Sequence, residues 1–152
     1  MEEQFSTVFD QFMAIKACNY SIVQLLTRTT ELLKTEIPHY DWVGFYLLDT
    51  QLNLLVLGPF SGKPTEHTHI PVGKGVCGQV AEKKQTMIVQ DVSEQSNYIA
   101  CSMDVQSEIV VPILKNGVFV AEIDIDSHAY APFSKEDEQL LSAIAQELAE
   151  YF

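Results

Sequence analysis

The sequence predicts an α+β fold, an antiparallel sheet flanked by helices. Three observations point to it. Apolar residues near both ends of the chain recur at three-to-four spacing, the period of an amphipathic helix. From residue 41 to residue 127 the period shifts to two, in short runs rich in β-branched and aromatic residues, as strands require. Tight turns join several of these runs, which suits antiparallel pairing.

Phe5, Val8, Phe9, Phe12 and Ile15 form one stripe, so a helix is expected over 3–16. Asn19 or Ser21 can cap a second helix, whose stripe is Ile22, Leu25, Leu26, Thr29, Leu32 and Leu33, and Pro38 stops it. Cys18, between the two, is expected as a small buried apolar residue. WVGFYLL (42–48) reads as a strand, 49–53 as a turn and LLVLG (54–58) as the hairpin partner. PFSGKP (59–64) is punctuated like a loop, and EHTHIPV (66–72) like a short exposed strand. GKGVCGQVAEKKQ (73–85) suggests a tight turn feeding a helix. TMIVQDV (86–92) is a strand running into a loop, and 93–106 is polar without a period, a long loop of the kind that often carries function. SEIVVPIL (107–114), the turn Lys115-Asn116-Gly117 and VFVAEIDIDS (118–127) form the clearest hairpin in the chain. After a loop at 128–133, Ser134 caps a last helix, with Asp137 three residues on and Leu140, Leu141, Ile144, Ala145, Leu148 and Phe152 as its stripe.

A length of 152 residues suits one domain with a real core. The net charge of −12, with only nine Lys and Arg along the whole chain, argues against a nucleic-acid partner and against an anionic membrane surface. No apolar run is long enough to span a bilayer, and the first residues lack the basic start and apolar run of a secretory signal. The expected location is the cytoplasm. Three cysteines are too few for a disulfide scaffold; in a reducing compartment they are buried apolar residues, metal ligands or reactive thiols.

Chemistry concentrates between Gly73 and Ser127. Side chains two apart in a strand point the same way, so Glu122, Asp124 and Asp126 share one face of their strand, and Glu108 faces the same side if the 107–114 strand pairs with it. The cluster is either a solvated face or a cation site. Aspartates are poor strand formers, and like charges so close raise one another's pKa unless a cation neutralises them. An ammonium group or a metal ion would do so. Cys101 lies in the irregular loop, and Cys77 near the start of the 73–85 helix, where the dipole favours a thiolate. By spacing they are two packed cysteines or a redox pair. The glycine turn before that helix either offers backbone N–H groups to an anion or serves geometry alone.

GKGVCG (73–78), V-x-DV (89–92), YIAC (98–101), SEIVVPI (107–113) and DIDS (124–127) resemble the GAF-domain family of free methionine-(R)-sulfoxide reductases. With the N-terminal helices, the WVGFYLL strand and the GPF loop, the resemblance covers nearly the whole chain. It implies one GAF domain over 1–152, a three-layer fold with a central antiparallel sheet between helices, and a homodimer. It also implies chemistry. Cys101 would attack the sulfoxide sulfur of free methionine sulfoxide and become a sulfenic acid. A second cysteine would condense with it to a disulfide, which thioredoxin or another thiol reduces. No bound cofactor is implied. Glu108, Asp124 and Asp126 match carboxylates that hold the substrate's ammonium and help protonate the sulfoxide oxygen, and Trp42 and Tyr46 match an aromatic wall.

The chain departs from this pattern at named positions. His67 stands where the family has its usual resolving cysteine, so that Cys77 becomes the internal candidate. Ser102, Tyr98 and the pair Ala121-Glu122 replace an Asp, a His and a Gly-apolar pair. Two further readings follow from the same residues. One is a non-catalytic GAF module that binds a small amino-acid-like ligand for sensing. The other is a zinc site formed by His67, His69 and Cys77.

Overall fold

The computed structural model describes residues 2–95 and 104–152. Helix α1 spans Glu3–Lys16 and buries Phe5, Val8 and Phe12. Helix α2, Ile22–Glu36, starts at Ser21, whose side chain accepts from the Gln24 amide while Gln24 returns the bond to the Ser21 backbone, so Ser21 rather than Asn19 is the cap. It ends just before Pro38, because the residue preceding a proline is pushed out of helical geometry. Cys18 is exposed, its thiol 3.5 Å from the Ala14 carbonyl. The expectation of a buried packing residue fails there because α1 ends before Cys18 and the side chain lands outside the core.

Six strands follow: β1 (Trp42–Asp49), β2 (Leu54–Ser61), β3 (His69–Pro71), β4 (Met87–Val89), β5 (Ser107–Lys115) and β6 (Val118–Ser127). Helix α3 (Gly75–Lys83) lies between β3 and β4, and helix α4 (Lys135–Leu148) closes the chain. The sheet order is β3-β2-β1-β6-β5-β4, and every pairing is antiparallel. Strand β2 runs three residues past the expected 58 into PFS, because Val43 and Gly44 pair with Ser61 and Phe60 across a bulge in the register. Strand β3 is shorter than the expected 66–72. Pro112 is tolerated within β5 because β4 pairs only as far as Val110, which leaves Pro112 on an edge where its missing N–H breaks no ladder.

The two sheet faces divide the work. On one, Val43, Phe45, Ile109, Val111, Ile113, Ala121, Ile123 and Ile125 pack with the buried stripes of α1, α2 and α4 in the main core. The opposite face carries a second core, in which Trp42, Tyr46, Leu55 and Val110 meet Val76, Cys77, Val80 and Ala81 of α3. The sheet thus lies between helices, in three layers. Among the described residues no helix is long and apolar enough to cross a membrane.

Candidate active site

Register assembles the site. Trp42, Gly44 and Tyr46 of β1 stand opposite Asp126, Asp124 and Glu122 of β6. On the other side of β6, Glu108 of β5 stands opposite Asp126. The four carboxylates therefore share the α3 face, as strand alternation implies, and all are buried, at 4%, 0%, 1% and 0% exposure for Glu108, Glu122, Asp124 and Asp126. The solvated-face alternative is excluded.

Helix α3 closes over them. A Cβ on Gly78 would lie 2.6 Å from the Pro71 carbonyl oxygen, so only glycine lets this turn of helix sit so close to the end of β3. That contact brings Cys77 down to the sheet. Cys77 Sγ lies 3.9 Å from Glu108 Oε2, with the thiol as donor. The backbone donors of Gly73 and Lys74 are occupied by the carbonyls of Gly78 and Pro71. The first turn of the helix, Gly75–Cys77, lines a pocket together with Tyr46, His67, Ile70, Lys74, Glu108 and Asp124. Amides of a first helical turn have no acceptor within their own helix, so this rim suits an anionic group.

The aromatic wall is held by the loop beyond β2. Trp42 donates from Nε1 to the Lys63 carbonyl at 2.9 Å, and Tyr46 donates its hydroxyl to the His67 carbonyl at 2.8 Å. Phe60 stacks on Trp42 with ring centroids 5.6 Å apart. A Cβ on Gly44 would lie 2.3 Å from Trp42 Cη2, so the bare backbone at 44 is what lets the indole lie against the strand. The glycine inside an otherwise bulky strand was the sequence signal for such a close approach.

Electrostatics set the protonation of the cluster. Burial pushes Glu122 well above the ordinary carboxyl range, the neighbouring Asp124 adds to the rise, and the Cys77 thiol opposes it. Burial likewise raises Asp124, against the opposing effect of Glu108 and Cys77 beside it. Among the described residues, neither oxygen of Glu122 and not the Oδ1 of Asp124 meets a hydrogen-bond partner. Three buried, unsatisfied carboxylate oxygens are costly and call for a cation. Burial, with the charges of Asp124, Glu122 and Glu108, raises Cys77 well above an ordinary thiol. The expected thiolate at the helix start is therefore overturned, since desolvation and three acids outweigh the helix dipole.

The sequence-derived residues fall in two pockets. Tyr46, Glu108, Asp124 and Cys77 line the one described above. Trp42 and Asp126 line the other, with Lys34, Asp41, Gly62, Lys63, Val105 and His128, around a cavity of about 400 Å3. Cys101, Ser102 and Tyr98 lie outside the described residues. The described flank after Cys101 reaches this second pocket: Val105 lines it, and Asp104 pairs with Lys63 at 3.4 Å. His67 lines the Cys77 pocket, whereas His69 is exposed on β3, so the His67–His69–Cys77 zinc set does not form. Glu122, which the sequence placed on the acidic face and as a departure from the family pattern, lies buried beside Asp124 and Cys77.

The six-stranded antiparallel sheet, helices on both faces and a buried acidic site under α3 are those of a GAF domain, and a GAF-domain family profile matches residues 21–151. The chain belongs to that family. Within it, the chain falls with the free methionine-R-sulfoxide reductases. It is 36% identical over 146 residues to the free methionine-R-sulfoxide reductase of Escherichia coli, covering 96% of this chain and 87% of that one. It is 38% identical over 143 residues to GAF domain-containing protein A of Dictyostelium discoideum, covering 94% and 89%. Among solved structures, the free methionine-R-sulfoxide reductase of Neisseria meningitidis in complex with its substrate superposes with a TM-score of 0.92 at 38% identity, covering 97% of this chain and 87% of that one.

Proposed function

We propose that this chain is an oxidoreductase that reduces free L-methionine-(R)-sulfoxide to methionine through cysteine chemistry, as a single GAF domain over 1–152. The observation that carries the reading is the set of unsatisfied carboxylate oxygens on Glu122 and Asp124 beside a thiol and a first helical turn. A free amino acid supplies what both ends lack. Its ammonium neutralises the carboxylates of Glu108, Asp124 and Asp126, and its carboxylate meets the amides at the start of α3. Trp42 and Tyr46 bound the site for the methyl-sulfinyl end.

The chemistry follows from that pose. Cys101 attacks the sulfoxide sulfur, and the sulfoxide oxygen takes a proton from the buried acids, among which burial raises the pKa of Glu122 and Asp124. Methionine departs and Cys101 holds the oxygen as a sulfenic acid. Cys77 then attacks the sulfenic sulfur, a disulfide forms and water leaves, so two thiols are consumed per sulfoxide. The raised Cys77 pKa keeps that thiol inert until the sulfenic acid is beside it, and Glu122 or Asp124 takes its proton. Closure needs the two Cα atoms within about 4.4–6.8 Å. Thioredoxin, or another small dithiol, returns the enzyme to the reduced form. We further propose a cytoplasmic homodimer as the working state.

The test is thiol counting and mass mapping on reduced protein given one equivalent of free methionine-(R)-sulfoxide. A loss of two thiols as a Cys77–Cys101 bridge is expected, and Cys101→Ser abolishes it while the protein stays folded. Sulfenic acid on Cys101 alone would remove Cys77 from the mechanism. No change in folded protein would overturn the reductase and leave a ligand-binding module.

A further inference from the structure

Cys77, Glu108 and Asp124 also have an arrangement that the reductase reading does not use. One ligand atom from each, the thiol sulfur and a carboxylate oxygen from both acids, lies within 4.8 Å of the other two. Tetrahedral zinc sites with Zn–S of about 2.3 Å and Zn–O of about 2.0–2.2 Å place neighbouring ligand atoms roughly 3.5 Å apart. The Sγ–Oε2 separation of 3.9 Å between Cys77 and Glu108 is close to that already, and side-chain rotation supplies the rest. A second, independent sign is Asp124 itself: it is 1% exposed, lines the pocket, and its Oδ1 has no partner among the described residues.

We infer that Cys77, Glu108 and Asp124 form a binding site for a thiophilic divalent cation of the zinc class, with the fourth position left to water. A sulfur ligand with two carboxylates suits Zn2+ or Co2+ and not Mg2+ or Ca2+, which take oxygen ligands in larger number. The cation occupies the same carboxylates as a substrate ammonium and holds the sulfur of Cys77 out of thiol chemistry. Occupancy therefore excludes the substrate, which makes the site a means of silencing it. The ligand set differs from the one legible in the sequence: Glu108 and Asp124 replace the two histidines, of which His69 is exposed on β3.

The test is titration of Co2+ into the reduced full chain without sulfoxide, read by absorption. The expected result is one Co2+ per chain with a near-ultraviolet sulfur-to-cobalt band and visible bands of tetrahedral intensity, both lost on adding Zn2+. Cys77→Ser removes the near-ultraviolet band, and Glu108→Gln weakens binding at least tenfold, with far-ultraviolet circular dichroism checking that each variant is folded. Cys18→Ser leaves the spectrum unchanged. No band in the wild type, a band kept by Cys77→Ser, or a band lost in Cys18→Ser or Cys101→Ser would overturn the assignment. Because the readout is binding in the absence of sulfoxide, a failed reductase test leaves it standing, and its own failure leaves the reductase standing.

Discussion

Two buried acids on opposite sides of the sheet behave in opposite ways. Asp137, in the first turn of α4, is 1% exposed. Its Oδ1 is 2.7 Å from His39 Nε2 and accepts from the Tyr40 hydroxyl at 2.7 Å, while its Oδ2 accepts from the Ser134 backbone at 2.8 Å. Burial pushes its pKa up, but these bonds together outweigh burial and hold it below the usual carboxylate range. Glu122 and Asp124 are as deeply buried, but both oxygens of Glu122 and Oδ1 of Asp124 meet no partner among the described residues, and burial carries both groups the other way. Burial alone therefore does not say what a carboxylate is for. The satisfied acid fixes the entry of a helix; the unsatisfied ones are those that the proposed function assigns to a cation from outside.

The comparison is broken most sharply through Asp124. Asp124→Asn keeps the shape and removes the charge, so kcat/KM for the sulfoxide is expected to fall about a thousandfold, as when one partner of a buried charged pair is lost. The urea midpoint should stay or rise, because an unsatisfied buried carboxylate is gone. A clear loss of stability with activity retained would place Asp124 with Asp137 as a structural acid.

Asp137→Ala should do the reverse. It deletes the returning half of the capping box and leaves the Tyr40 hydroxyl buried without an acceptor, for a loss of about 3 kcal/mol in urea unfolding. Activity per folded molecule should be unchanged. A drop in kcat/KM at full folding would show that the α4 face communicates with the site.

Acid and alkali should act on the two sites with opposite sign. A lowered folded-state pKa, as for Asp137, gives stability that is present above the unfolded value of about 3.9 and lost as pH falls through the folded value. A raised one, as for Glu122, gives stability that is present below the unfolded value of about 4.3 and lost as pH rises toward the folded value. Urea midpoints from pH 2 to 8 should thus peak between these limbs. Glu122→Gln should flatten only the descending limb and Asp137→Asn only the ascending one. Parallel curves for Glu122→Gln and wild type above pH 5 would mean that Glu122 is ionised in the fold. The smallest effect belongs to neither acid: Cys18→Ser, at an exposed site, should shift stability by no more than about 0.5 kcal/mol and leave turnover intact.

Much of this was legible in the chain. The stripes of α1, α2 and α4 follow from helical spacing, and the DIDS and SEIVVPI strands show by alternation which residues share a face. Other features were not. The expected burial of Cys18 rested on residue type alone, and residue type does not say where a helix ends. The length of β2 depended on β1, and the zinc set of His67, His69 and Cys77 assumed a strand longer than β3.

What the sequence determined by itself is therefore the local geometry: alternation places Glu122, Asp124 and Asp126 together because successive side chains of a strand point to opposite faces. Only the tertiary structure decided that α3 would cover that face, that register would bring Glu108 opposite Asp126, and that Cys77 would be a protonated thiol among acids. The physical reason is range. Side-chain direction is fixed by neighbouring backbone, whereas desolvation and charge at a site are set by whatever distant segments fold over it.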